Sequence, residues 1–142
     1  MKQHCENAEK VVNFLKKHKE VTKVIYSTEH NKQISDRAKK YLKGGNGPMV
    51  GIELKGGIEA GKKFIESLKM FYHVANIGDA RSLAIHPAST THSQLNEKEL
   101  AASGVTQSYV RLCIGIEHID DIIEDLDQAL NKSNKGNLKA VS

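Results

Sequence analysis

Aromatic side chains are scarce in this sequence: tryptophan is absent, and phenylalanine and tyrosine together make up 5% of the 142 residues. Surfaces that bind nucleic acids usually gather basic residues on one face, often with aromatic rings on which bases stack. Here the net charge is +4, and the lysines are spread along the chain apart from one cluster at Lys16, Lys17 and Lys19. That cluster is typical of a solvated helix end, so we expect no nucleic-acid partner.

Cysteine is also rare, and long apolar runs are missing. The two cysteines, Cys5 and Cys113, form neither a CxxC pair nor a spacing typical of zinc sites. No apolar run approaches the roughly 20 residues that a membrane-spanning helix needs. The first ten residues, MKQHCENAEK, are too polar for a signal peptide. We therefore expect no metal site, no membrane partner and a cytoplasmic location.

What the sequence does contain is an alternation of amphipathic and β-rich segments. Apolar residues at helical spacing predict helices, and short β-branched runs predict strands. The predicted helices cover residues 2–19, 34–42, 56–71, 97–103 and 119–130, and the predicted strands cover residues 21–26, 49–54, 71–75 and 109–116. They indicate one α/β domain of the α+β type, with a mixed or antiparallel sheet of about four strands and helices packed on one face. Residues 131–142 are polar and predict a frayed tail.

The start of the first predicted helix has no obvious cap. Ser, Thr, Asp or Asn usually precedes a helix and accepts a hydrogen bond from its first turn. Here the apolar stripe begins almost at the first residue, and none of these residues stands before it. We therefore expect that the helix begins further upstream in a longer protein, and that it leads into a domain formed by residues 1–130.

The strand at residues 109–116, YVRLCIGI, carries one charge among apolar and small residues. Val110, Leu112 and Ile114 fall on one side of the strand, and Arg111 falls on the other. A buried guanidinium needs a partner, since removing one member of a buried ion pair costs about 3–5 kcal/mol. Arg111 therefore reaches solvent, pairs with an internal carboxylate, or faces a cleft that binds an anion.

Residues 76–92, NIGDARSLAIHPASTTH, are dense in small and polar groups and have no helix or strand period over most of their length. His86 and His92 lie six residues apart, and no cysteine or carboxylate stands at a spacing that would complete a metal site. There is also no G-x-S-x-G sequence to place a nucleophilic serine beside a histidine. From the pattern alone we expect an ordered loop that crosses the sheet and bonds to its own backbone.

Several motifs, in order, resemble the Cys/Met-metabolism family of pyridoxal-phosphate enzymes. They are HCENAEKVV near the start, GNGPMVGIELKGG in the middle, NIGDARSLAIHPASTTH, and RLCIGIEHIDDIIEDL. The resemblance extends to about Leu130, and ANIGD with HPASTTH most resembles the O-acetylhomoserine sulfhydrylase branch. It implies the C-terminal domain of a fold-type-I transferase that replaces the acetate of O-acetylhomoserine with sulfide or a thiol.

The resemblance also implies roles for four residues. Arg111 matches the arginine that binds the α-carboxylate of the amino-acid substrate, as a planar guanidinium does well. Asn76 matches a position that helps to hold the same carboxylate, Ala75 matches a position lining the side-chain pocket, and Thr91 matches a threonine near the cofactor lysine.

The same resemblance places the cofactor-binding residues elsewhere. The lysine that binds pyridoxal phosphate, and the groups that hold its ring and phosphate, belong to a large N-terminal domain that this chain lacks. We therefore expect the chain to be inactive alone and its parent to be a homotetramer. Cystathionine γ-synthase, methionine γ-lyase and a non-catalytic module that acts only by association are the alternatives.

Overall fold

The protein is described from a computed structural model that covers residues 1–29 and 31–134. Within this part of the chain, helices and strands alternate along the sequence except for two consecutive strands after the third α-helix. The helices are α1 (Lys2–Leu15), α2 (Lys32–Tyr41), α3 (Gly57–Ser67), α4 (Glu97–Ala102) and α5 (Ile119–Ser133), and the strands are β1 (Val21–Ile25), β2 (Met49–Leu54), β3 (Tyr72–His73), β4 (Leu83–Ile85) and β5 (Tyr109–Cys113). A 3₁₀ turn at Pro87–Ser89 follows β4.

The strands form one mixed sheet in the order β1-β2-β5-β4-β3. β5 lies at its centre, antiparallel to β2 and β4, while β3 and β4 are parallel to each other. The sequence pattern left open a mixed or an antiparallel sheet, and the structure shows the mixed one. The described residues add β4 to the four strands that the pattern predicted. The central position of β5 holds Arg111 between two neighbouring strands.

One face of the sheet carries the hydrophobic core. Alternate residues of β2 and β5 point to this face and are almost completely buried, namely Val50, Ile52, Leu54, Val110 and Leu112. They pack in one cluster with apolar side chains of α1, α3 and α5, including Leu15, Phe64 and Leu126. Burying one such side chain contributes roughly 1.5–3 kcal/mol. The helices α1, α3 and α5 therefore lie on one face of the sheet, as predicted, and Arg111 lies on the other.

Several element boundaries differ from the sequence-based prediction. α1 ends at Leu15 rather than Lys19, and α5 continues to Ser133, whose side chain is buried, rather than stopping at residue 130. The prediction of a frayed tail from residue 131 is therefore wrong for residues 131–133, and residues 135–142 lie outside the described part. β5 ends at Cys113 rather than Ile116, because the next N–H groups bond outside the strand ladder, to Pro48 O, Ser82 Oγ and Ala80 O.

A buried carboxylate on α5 fixes the segment that leads into β3. Asp125 accepts hydrogen bonds from the backbone N–H groups of Lys69 at 2.9 Å and Met70 at 2.8 Å. These groups follow the end of α3 and have no helical partner of their own. The contact fixes the position of the backbone just before β3, and therefore helps to place the residues after that strand.

No helix in the described ranges is long and apolar enough to cross a membrane.

Candidate functional site

Arg111 is the charged residue at the middle of β5, on the sheet face opposite the hydrophobic core. Its strand neighbours in register are Gly51 on β2 and Ile85 on β4. Its guanidinium Nη2 lies 3.4 Å from the backbone oxygen of Asn76, a long and weak hydrogen bond. Within residues 1–29 and 31–134, no carboxylate forms an ion pair with it. Of the three possibilities that the sequence left open, pairing with an internal carboxylate is excluded for the described residues.

The side chains beside Arg111 on its sheet face are those of Tyr109 and Ile85. Gly51 faces Arg111 across the strand pair and has no side chain, and the Tyr109 ring fills that space. A Cβ atom on Gly51 would lie 2.6 Å from Tyr109 Cε2. On the other side, Ile85 is buried. Arg111 thus has Tyr109 and the buried Ile85 at neighbouring positions on its sheet face, and its guanidinium reaches towards Asn76.

Burial raises the pKa of the Tyr109 phenol above its ordinary value, and the nearby positive charge of Arg111 acts in the opposite direction. The phenol is therefore neutral at physiological pH. The Tyr109 ring therefore places no negative charge beside the Arg111 guanidinium.

Ala75 and Asn76 follow β3 and are both exposed. The Asn76 side-chain oxygen accepts a hydrogen bond from the N–H of Ile77 at 2.9 Å, which fixes the side chain against its own backbone. The Asn76 amide NH₂ has no partner among the described residues. The structure thus brings Asn76 beside Arg111, with an unpaired amide donor and unpaired guanidinium donors on the same surface. Such a pair of donors suits a carboxylate or another small oxyanion.

Thr91 lies apart from this group. It is exposed, and its hydroxyl contacts the adjacent His92 ring at 2.9 Å. No hydrogen bond joins Thr91 to Arg111 or Asn76 in the part of the chain that the structure describes. Of the four residues singled out from the sequence, the structure brings together Arg111 and Asn76, and Ala75 precedes Asn76 in the chain.

The stretch from residue 76 to residue 92 is ordered around a buried histidine. His86 is fully buried, and its two ring nitrogens lie 2.8 Å from Ser89 Oγ and 2.8 Å from the backbone oxygen of Gln107. The Thr90 hydroxyl donates to the His86 carbonyl at 2.9 Å, so part of the stretch does bond to its own backbone, as expected. Within the described residues, no group of three or more His, Cys, Asp or Glu side chains could hold a metal ion.

Burial lowers the pKa of His86 below its ordinary value of 6.5 and outweighs the opposing hydrogen bond to Gln107. The unfolded chain therefore binds a proton more readily than the folded chain, so the free energy of unfolding should fall as the pH drops below about 6.5. We expect His86→Gln to flatten this fall, by up to about 1.4 kcal/mol per pH unit. Urea unfolding between pH 7.5 and pH 5 measures the slope.

The matched control is His92→Gln, in the same stretch but not buried. It should keep the wild-type slope. If His86→Gln and wild type lose stability equally with falling pH, His86 does not carry the proton linkage.

The surroundings of Arg111 suit a substrate group better than a cofactor. Its described neighbours are Gly51, Tyr109, Ile85 and Asn76. None of them offers an amine for a covalent link to pyridoxal phosphate or a carboxylate for the nitrogen of its ring. The donors that are present fit a carboxylate. Any pyridoxal phosphate must therefore be held mainly by residues other than these.

Comparisons with known proteins agree with one another. Residues 1–131 match the family model described as Cys/Met metabolism PLP-dependent enzyme. The chain is 51% identical over 131 residues to the O-acetyl-L-homoserine sulfhydrylase of Leptospira meyeri, covering 92% of this chain and 30% of that protein. It is 44% identical over 132 residues to the L-methionine gamma-lyase of Fusobacterium nucleatum subsp. polymorphum, covering 93% of this chain and 33% of that protein.

A solved structure shows the same fold. The crystal structure of an O-acetylhomoserine (thiol)-lyase from Campylobacter jejuni superposes with a TM-score of 0.82 at 42% identity, over 91% of this chain and 31% of that one. That protein carries N′-pyridoxyl-lysine-5′-monophosphate. The chain thus spans about a third of the length of the relatives that it matches.

Proposed function

Since this chain belongs to the Cys/Met metabolism family of PLP-dependent enzymes, we propose that it is the C-terminal, substrate-carboxylate-binding part of an O-acetylhomoserine sulfhydrylase. Residues 1–130 form the domain in this proposal. The observation that carries it is the pair of unsatisfied donors at Arg111 and Asn76, on the sheet face opposite the hydrophobic core. The 51% identity to a sulfhydrylase supports the choice of branch.

The proposed reaction replaces the acetate of O-acetylhomoserine by sulfide or a thiol. With sulfide, a carbon–sulfur bond forms at the γ-carbon, the carbon–oxygen bond to acetate breaks, and homocysteine and acetate are released. Pyridoxal phosphate supplies the electron-accepting ring that such chemistry needs when it is bound. This chain contributes orientation: Arg111 binds the α-carboxylate through two parallel N–H donors, and the Asn76 amide donates to the same group. Holding a substrate in a reactive orientation can lower a barrier by several kcal/mol.

Ala75 and Thr91 have smaller roles in this proposal. Ala75 is exposed next to Asn76 and has a small side chain, which suits the wall of a pocket for the substrate side chain. Thr91 forms no hydrogen bond with Arg111 among the described residues. We propose that it faces the cofactor lysine contributed by another part of the enzyme.

We also propose that the chain is inactive alone. It spans 30% of its sulfhydrylase relative, and its described residues around Arg111 do not fit the cofactor. The lysine, the ring-binding carboxylate and the phosphate-binding groups then come from a large N-terminal domain. The parent enzyme is proposed to be a cytoplasmic homotetramer that binds neither nucleic acid nor membrane. The reduced, unpaired Cys5 and Cys113 suit that compartment.

Methionine γ-lyase is the second candidate, because one such enzyme is 44% identical to this chain. It would use the same carboxylate site with a different side-chain chemistry. Cystathionine γ-synthase and a non-catalytic module that acts only by association complete the alternatives.

A chimera tests the proposal. The region of the Leptospira meyeri sulfhydrylase that precedes its matched segment is joined to this 142-residue chain. We expect the purified chimera to form homocysteine from O-acetylhomoserine and sulfide, and the isolated chain to show no turnover above that of free pyridoxal phosphate. Methionine is offered as a competing substrate.

Three other results have defined meanings. Faster elimination from methionine than replacement of O-acetylhomoserine would favour the lyase. Turnover by the isolated chain, abolished by changing one of its lysines, would contradict the division of the active site. A folded, cofactor-loaded chimera without any activity would favour the non-catalytic module.

A further inference from the structure

A carboxylate outside the predicted site holds the segment that carries Asn76. Residues 74–82 connect β3 to β4, with Asn76 near the start and Ser82 at the end. Glu117 accepts a hydrogen bond from the Ser82 N–H at 2.6 Å and another from the Ser82 hydroxyl at 3.0 Å. The Ser82 Oγ in turn accepts from the N–H of Gly115 at 2.9 Å. We refer to Ser82, Gly115 and Glu117 as the clasp.

The clasp joins three parts of the fold. The N–H of Ile116 donates to the backbone oxygen of Ala80 at 2.8 Å, beside the side-chain bonds. From α1, the buried Asn7 amide donates to the backbone oxygens of Gly115 at 3.1 Å and Glu117 at 2.9 Å. The chain after β5 is therefore held by α1 and by the β3–β4 connection together.

The connection itself is short and internally braced. The N–H of Tyr72 donates to the Ser82 backbone oxygen at 3.0 Å, which closes the loop at its base. Asp79 accepts from the N–H of Arg81 at 2.9 Å, and the Arg81 guanidinium lies 4.0 Å above the centre of the Tyr72 ring. These bonds close the base of the loop and brace its interior, so a displacement of Ser82 is expected to displace Asn76 with it.

Arg111 cannot fix Asn76 by itself. The 3.4 Å separation between its guanidinium and the Asn76 oxygen is at the weak end of hydrogen bonding. The clasp bonds are shorter, and both bonds from Ser82 end on one carboxylate, a strong type of hydrogen bond. The clasp is thus the stiffer of the two connections between the loop and the β5 region.

We propose that Glu117 is a positioning residue for the carboxylate site: through Ser82 it holds the β3–β4 connection so that Asn76 lies beside Arg111. The inference rests on the proposed function, because it assumes that Arg111 and Asn76 bind the substrate carboxylate. Glu117 is not required to touch the substrate. Its carboxylate serves because both its oxygens accept, one from the Ser82 N–H and one from the Ser82 hydroxyl. A glutamine would place an NH₂ group against one of those donors.

The test in the chimera is Glu117→Gln, with Glu124→Gln as the matched control, since Glu124 is an exposed glutamate on α5. We expect Glu117→Gln to raise the KM for O-acetylhomoserine about tenfold. Asn76 would no longer be held beside Arg111, and the charge-assisted hydrogen bond from its amide to the substrate carboxylate would be lost. The KM for sulfide and the cofactor absorbance should stay within about twofold, because neither depends on the carboxylate site.

A merely structural role is separated by combining Glu117→Gln with Arg111→Lys. If Glu117 acts through the carboxylate site, it should add less than about threefold in a protein whose arginine is already replaced, since coupled residues are not additive. Full multiplication of the two effects, or an unchanged KM for O-acetylhomoserine in an active chimera, would contradict the proposal.

Amide hydrogen exchange in the 142-residue chain gives a readout that needs no activity. Glu117→Gln should speed exchange at Ser82 and in residues 76–82 about tenfold, while Val50 and Leu112 on the central strands keep their rates. Unchanged exchange at Ser82 would show that the clasp does not hold the loop. An inactive chimera would contradict the proposed function. Faster loop exchange in the Glu117→Gln chain would still show that the clasp holds the loop, so the two failures can be told apart.

Discussion

Replacing Arg111 by lysine is expected to lower kcat/KM for O-acetylhomoserine in the chimera by roughly 30- to 100-fold, corresponding to about 2–3 kcal/mol. Lysine keeps the positive charge but offers a point charge in place of two parallel donors. Most of the loss should appear as a higher KM for the amino acid, with a normal cofactor absorbance.

The matched control is Arg37→Lys, because Arg37 is exposed on α2. It should leave kcat/KM within about twofold of the unchanged chimera. A wild-type kcat/KM in the Arg111→Lys chimera would mean that this arginine serves the structure alone, and the carboxylate site would have to be sought elsewhere.

Replacing Gly115 by alanine should lower the free energy of unfolding by roughly 3 kcal/mol. A Cβ atom there would overlap the Glu117 carboxylate and lie 2.5 Å from both the Ala80 oxygen and the Ser82 nitrogen. Two of these atoms belong to the backbone, so rotating a side chain cannot relieve the overlap. The clasp must open, which leaves the buried Ser82 without its partners. Urea unfolding of the 142-residue chain measures the loss.

Gly44→Ala is the control for the glycine prediction. No atom lies within 4 Å of the Cβ that it would gain, and its backbone is not in the left-handed region. Its effect should stay within about 0.5 kcal/mol. Equal stability of the Gly115→Ala and Gly44→Ala proteins would show that the clasp tolerates a side chain at Gly115.

Local patterns predicted most of the architecture because the core-facing residues repeat with the correct period. Alternation placed Val110 and Leu112 on one side of β5 and Arg111 on the other, and the structure confirms it. β4 was missed because Leu83–Ile85 has only three residues and all three are buried, so no alternation marks it as a strand. The end of β5 was misplaced because the bonds that divert the chain at Gly115 come from Ser82, which is 33 residues away.

The candidate site shows the same division between local and distant information. Motif resemblance singled out Arg111 and Asn76, and the fold brings them together although they lie 35 residues apart. Glu117 stands inside the RLCIGIE motif, but its role depends on Ser82, which no sequence spacing connects to it. A buried position for Ser82 could not be predicted either, because the stretch around it is polar and has no period.

The most direct test of the account is a crystal structure of the cofactor-loaded chimera with norleucine, an amino acid that has an α-carboxylate and no leaving group. The account predicts that both oxygens of this carboxylate accept hydrogen bonds from the Arg111 guanidinium at about 2.7–3.2 Å, with Asn76 as a further donor. A carboxylate bound by other residues, with Arg111 directed into solvent, would contradict the central claim that this chain supplies the carboxylate-binding half of the active site.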